Sequence, residues 1–193
     1  MHGLFNRALQ CFLRDTYGSD LWHRVARDAH LALPDFESML QYDIAVTEDV
    51  LRAASRHLGR TRESVLEDLG NHLIASPSLD AVRRLLLFGG VGFRDFLHSL
   101  EDFPGRCQLA LPGVDVPHLT LREDEDGYVL ICSWELDGVG HLAMGLLRAM
   151  ADDYGALAFL EHLGPTPEGE AVSIRLVEAQ LFAARPFELS VRA

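Results

Sequence analysis

The first third of the chain is written in helical period. From Leu4 to Tyr17, the apolar positions Leu4, Phe5, Ala8, Leu9, Phe12 and Leu13 recur three and four residues apart, with Arg7, Gln10 and Arg14 opposite them. This predicts an amphipathic helix ended by Gly18. Ser19 is set to cap a second helix through Trp22 and Val25 to about Ala29, and Pro34 then enforces a loop. Thr47, followed by Glu48 and Asp49, reads as the cap of a third helix through Val50, Leu51 and Leu58, with Gly59 as its stop. Thr61 opens a fourth through Val65, Leu66, Leu69 and Leu73, which must finish before Pro77. Ser78 starts a short one through Leu79, Val82, Leu85 and Leu86, closed by Gly89-Gly90.

The stretch Phe93 to Pro117 predicts one core helix, a proline break and a passage into sheet. At 100° per residue, Phe93, Phe96, Leu97, Leu100 and Phe103 form one stripe, and position 104 projects close to its middle. Proline stands there, so the helix should end or kink, and a pocket against this face receives no ligand from position 104. Beyond Pro117 the period shortens. His118–Arg122 and Tyr128–Trp134 are β-prone runs around the acidic turn Glu123 to Gly127. Gly138–Tyr154 returns to helical period through Leu142, Leu146, Leu147 and Met150, stopped by Gly155. Ala156–Leu163 and Ala171–Ala179 flank a Gly164–Gly169 loop as a second hairpin. Helices first and sheet later, with one helix between hairpins, is an α+β pattern.

Composition narrows this picture. The 193 residues suit a single domain of two closely packed parts, 1–75 and 76–193. Apolar runs such as Leu85 to Phe88 are far too short to span a bilayer, and the N-terminus has no signal-peptide pattern, so a cytoplasmic protein without a membrane partner is expected. A formal charge of -12 opposes binding to phosphate backbones, and nucleic acid is not expected as a partner. Cys11, Cys107 and Cys132 are too far apart for a CxxC site and odd in number, which predicts reduced, mostly buried thiols. No nucleophile elbow, phosphate loop, HExxH or dinucleotide fingerprint occurs. The pairs Glu101-Asp102 and Asp152-Asp153 sit where solvated helix ends are expected, so no catalytic activity is predicted.

Four segments, MHGLFNRALQCFLRDTYGSDLW, VLEDLGNHL, FLHSLEDFPGRCQLALPGVDVPHL and MGLLRAMADDYG, together resemble the bacterial heme-nitric oxide/oxygen binding (H-NOX) family over residues 1 to about 180. The matching features, in order, are the MxG start, DxYG after the first helix, Gly70, FL before the heme helix, Pro117 after it, and GLL in the late helix. The resemblance implies a helical N-terminal part packed on an antiparallel four-stranded sheet with an inserted helix. It further implies a b-type heme between them, held by one histidine of the helix that here begins at Phe93.

The family's histidine position, thirteen residues before Pro117, falls on Pro104, and its propionate-binding Tyr-x-Ser-x-Arg falls on Ile131, Ser133 and Glu135. Glutamate in place of arginine turns attraction for a propionate into repulsion. The cofactor-binding positions the resemblance implies are Phe5, Leu9, Leu73, Ile74, Phe96, Leu100, Pro117, Ser133 and Leu142. The gas-facing ones among them are apolar, which favours nitric oxide over oxygen as ligand. His98, on the same helix as position 104 though about 120° from it, is the candidate metal ligand; His2, His72, His118, His141 and Cys107 are alternatives. No cysteine follows Cys132, so structural zinc is not expected. The implied function is a standalone sensor that controls a separate histidine kinase or diguanylate cyclase. The alternative is a heme-independent interaction module of the same fold, its cavity filled by Phe5, Leu9, Phe96, Phe103 and Leu142 or holding an apolar small molecule.

Overall fold

The computed structural model of the chain describes residues 1–76 and 91–177. Four helices come first: α1 (Gly3–Tyr17), α2 (Ser19–Asp28), α3 (Ile44–Leu58) and α4 (Arg62–Ala75). Local chemistry sets their ends. The His2 imidazole caps α1 by accepting from Leu4 N at 3.2 Å, Thr61 caps α4 by accepting from Ser64 N at 3.2 Å, and Gly59 stops α3 in the left-handed region at φ 63°. Two caps differ from expectation. Gly18, not Ser19, precedes α2, and α3 begins a turn early because the Asp43 carboxylate accepts from Ala45 N at 2.9 Å. Thr47 is therefore inside α3, where its buried hydroxyl donates to Asn6 Oδ1 at 2.7 Å.

The helix beginning at Phe93 is interrupted. Helix α5 (Phe93–His98) runs into a 3-10 turn, Ser99–Asp102, and helix α6 (Phe103–Ala110) continues beyond it with Pro104 in its first turn. Proline fits there because first-turn amides have no intrahelical acceptor. The end or kink expected at Pro104 is found just before it, at Ser99–Asp102, and Pro104 itself opens the following helix. The phase of position 104 is corrected. A 3-10 residue turns about 120° instead of 100°, so four of them advance the wheel by about 80° and carry position 104 off the apolar stripe.

Strands β1 (His118–Asp124) and β2 (Gly127–Ser133) form a hairpin around Glu125-Asp126; α7 (Val139–Asp153) follows, then β3 (Ala158–Thr166) and β4 (Gly169–Leu176). The sheet order is β1-β2-β4-β3, antiparallel throughout. The second hairpin turns at Pro167-Glu168, so the expected Gly164–Gly169 loop is mostly strand. A register shift between His162 and Gly164 lets the chain carry glycine and proline through an edge strand. The helix expected over Ser78–Gly90 and the end of the Ala171–Ala179 run lie outside the described residues.

Two apolar cores result. Leu9, Phe12, Leu13, Trp22, Val25, Leu51, Leu66 and Leu69 fill the helical half, while Phe96, Leu97, Leu100, Leu130, Val172, Ile174 and Met150 fill the space between α5, α7 and the sheet. Helices α4 and α7 join the halves by backbone contact. A Cβ added at Gly70 would meet the Leu142 carbonyl oxygen, and one at Gly145 the Glu67 carbonyl oxygen. This is the α+β architecture expected, with the helical part packed on a four-stranded antiparallel sheet and one helix inserted. Among the described residues no helix is long and apolar enough to cross a membrane.

Candidate ligand cavity between the two halves

A cavity of about 370 Å³ lies where α1, α6, α7 and the sheet meet. Helix α1 contributes Phe5 and Ala8, the end of α4 Leu73, and α7 Leu142, Ala143 and Leu146. The opposite wall is the stripe Leu100, Phe103, Cys107 and Leu111, spaced three or four residues apart as consecutive turns of one helix face require. The segment 111–117 closes the side, with Val114, Asp115 and Pro117 against the space, and Leu119, Leu130 and Trp134 form the floor. Such a volume lies at the lower end of the roughly 300–1,000 Å³ usual for small-molecule sites.

The lining is apolar except at a few points. Trp134 Nε1 donates to Asp115 Oδ2 at 2.9 Å, and the Trp134 ring meets Phe5 edge to face at 5.1 Å. Because His2 Nδ1 accepts from Leu4 N, the neutral ring carries its proton on Nε2, which leaves no lone pair for a metal. Burial pushes the Cys107 thiol up, against a smaller downward pull from Arg106, so it stands in the wall as a neutral S–H. Among the described residues no lysine or arginine lines the space. Beside it, Glu135 Oε1 lies 2.9 Å from the Met1 ammonium nitrogen, which also donates to the Tyr42 carbonyl at 2.9 Å.

The structure brings together five of the residues proposed from the sequence: Phe5, Leu73, Leu100, Pro117 and Leu142 line the cavity. Leu9 is packed in the helical core, and Ile74 and Phe96 in the sheet core, behind the walls. Ser133 is exposed at the end of β2, paired across the ladder with His118. His98 does not face the cavity. It is exposed on α5, its ring edge-on to Tyr128 at 5.4 Å, because the stripe of Phe96, Leu97 and Leu100 turns the other face of the helix inward. His72 packs its ring on Phe12 at 5.4 Å, and His141 pairs with Glu67. Phe103 and Cys107 line the wall and Pro104 does not. Missed from the sequence were Trp134 and, before Pro117, Leu111, Val114, Asp115 and Val116. The 100/103/107/111 spacing was the available signal, hidden by treating Pro104 as a stop.

These residues do not fit a heme held by a proximal histidine and an arginine clamp. The wall offers a neutral thiol where an imidazole would be needed, His2 has its lone pair engaged, and carboxylates stand where propionates would need cations.

Helices packed against an antiparallel sheet with an interfacial cavity between them define the class of α+β domain, and the comparisons give its family. The haem-NO-binding (HNOB) profile matches residues 2–161, and the chain belongs to that family. It is similar to soluble guanylate cyclases 89Db and 89Da of Drosophila melanogaster, at 22% and 20% identity over 94% of this chain. The chain spans 28% of the length of each of those relatives. Among solved structures, the Fe(II) unliganded H-NOX protein from K. algicida superposes with a TM-score of 0.78 at 16% identity, covering 92% of this chain and 97% of that one. The H-NOX protein from S. oneidensis in the Fe(II)NO ligation state gives 0.76 at 15% identity, covering 92% and 99%. At these identities the likeness establishes the fold.

Proposed function

We propose that the chain is a non-catalytic sensory module that controls a separate signalling enzyme, with the cavity as its sensing site. The observation that carries this is the position of the cavity. Its walls come from α1 and α4 on one side and from α6, α7 and the sheet on the other, so occupancy changes how the two halves meet. The names of the fly relatives support a cyclase as the output, and a kinase is the other partner that the family resemblance implies. The test is to add the purified chain to a histidine kinase and to a diguanylate cyclase from the same source and follow autophosphorylation and product formation. Unchanged activity in both would remove the regulatory reading.

Heme b with nitric oxide is the ligand pair that family membership suggests, and a cytoplasmic location would suit it. Pro104 and Glu135 weigh against it here. Protein purified from heme-supplemented cells, scanned reduced and then with nitric oxide, decides between them. A stoichiometric Soret band that moves with nitric oxide establishes the heme sensor; its absence in folded protein leaves the heme-independent module.

A further inference from the structure

We propose that the cavity binds an uncharged, apolar small molecule in place of an iron porphyrin, with Cys107 forming part of the wall against it. This rests on the reading of the cavity as the sensing site and names its ligand class.

Charge argues first. A porphyrin dicarboxylate needs cationic partners at the rim, yet among the described residues the carboxylate or cationic side chain in the lining is Asp115, and the neighbouring position 135 carries a second carboxylate. Two ligand carboxylates would face carboxylates in a chain of formal charge -12. A cation is no better served. Asp115 is exposed and already accepts from Trp134, and Glu135 is paired with the Met1 ammonium, so neither offers a free buried counter-charge. What remains is apolar surface from Phe5, Phe103, Leu142 and Ala143, which rewards a ligand with no charge to desolvate.

Shape argues next. The 3-10 turn rotates Pro104 off the wall and leaves Cys107 on it, so the family's donor position stands outside the cavity and the wall there carries a small, neutral, apolar-behaving side chain. The cavity of about 370 Å³ is of a size that takes a small apolar molecule.

The experiment titrates the full chain with N-phenyl-1-naphthylamine, a neutral probe that fluoresces in apolar surroundings, and separately with hemin. Saturable binding of one probe per chain is expected, with no stoichiometric Soret band. Ala143→Trp and Cys107→Phe, each checked for folding by circular dichroism, should weaken probe binding at least about tenfold. In the unaltered protein, bound probe should slow modification of Cys107 by methyl methanethiosulfonate, read by peptide mass. Stoichiometric hemin uptake overturns the charge argument. Absence of saturable probe binding, unweakened binding in a folded variant, or an unprotected Cys107 overturns the site. A probe that binds as expected while kinase and cyclase stay unaffected sinks the regulatory reading alone.

Discussion

The imidazoles of His141 and His162 lie face to face, ring centroids 4.1 Å apart and 24° from parallel, and each leans on a carboxylate. His141 Nδ1 is 3.1 Å from Glu67, and His162 Nε2 is 3.0 Å from Glu170. Glu170 also accepts from Gly138 N at 2.5 Å and Gly140 N at 3.0 Å, so a β4 side chain satisfies the free amides at the start of α7. Stacked rings and carboxylates together pin the first turn of the helix that forms one cavity wall.

Glu170→Ala therefore removes a helix cap as well as a histidine partner. It should lower unfolding stability by about 2 kcal/mol, at the upper end for lost caps. Glu170→Gln, which keeps an acceptor oxygen, should recover about half. Urea denaturation of the three proteins checks the order, and a Glu170→Ala as stable as the parent would contradict the capping role.

Crowding between α4 and α7 gives a sharper result. Gly145→Ala drives a methyl into the Glu67 carbonyl oxygen, a backbone atom that cannot swing aside. The cost should be about 3 kcal/mol, with the helices forced apart. Thermal unfolding measures it. Because the same two helices border the cavity, probe affinity should fall in the same variant.

Stability should also depend on pH through His72. Its Nε2 is buried without a hydrogen-bond partner among the described residues, and burial lowers its pKa from 6.5, with Asp15 opposing weakly. The native state then binds fewer protons than the unfolded chain once pH falls below about 6.5. The stability at issue is fully present above that value and is lost as pH drops toward the lowered native pKa. His72→Phe keeps the ring on Phe12 and removes the orphan nitrogen. The variant should equal or exceed the parent by about 1 kcal/mol at neutral pH, and the gap should widen on acidification. Parallel denaturation curves from pH 7.5 to 5 test this, and a constant gap would rule it out.

Pro104→His alone should not create a heme site. The 3-10 turn Ser99–Asp102 carries position 104 off the cavity wall, so an imidazole there does not reach the space that Leu100, Phe103 and Cys107 face. The reduced spectrum of the variant should lack a stoichiometric Soret band, and its appearance would show that the phase argument is wrong.

Local signals were legible from the sequence and phase was not. Gly59 and Thr61 mark helix ends because a left-handed glycine and a capping hydroxyl act within a few residues. The cavity residues Phe5, Leu73 and Leu142 were reached through the family resemblance, since each also suits plain core. Thr47 misled because its partner, Asn6, is 41 residues away, and the true cap, Asp43, was hidden among loop residues. The 3-10 turn was not legible in the spacing, so Pro104 was projected onto a stripe that it does not share. The 111–117 wall has no period to read, and the placement of β4 between β2 and β3 follows from long-range pairing.

The chain's two tryptophans sit in different halves of this architecture. Trp22 is sealed in the helical core, its indole N–H donated to the Pro34 carbonyl at 2.8 Å, while Trp134 forms the cavity floor with its N–H on Asp115. One indole is thus an internal standard and the other a native reporter. Ligand entering the cavity should alter the emission of Trp134 and leave that of Trp22 unchanged, so a Trp22→Phe protein would make occupancy visible without any label.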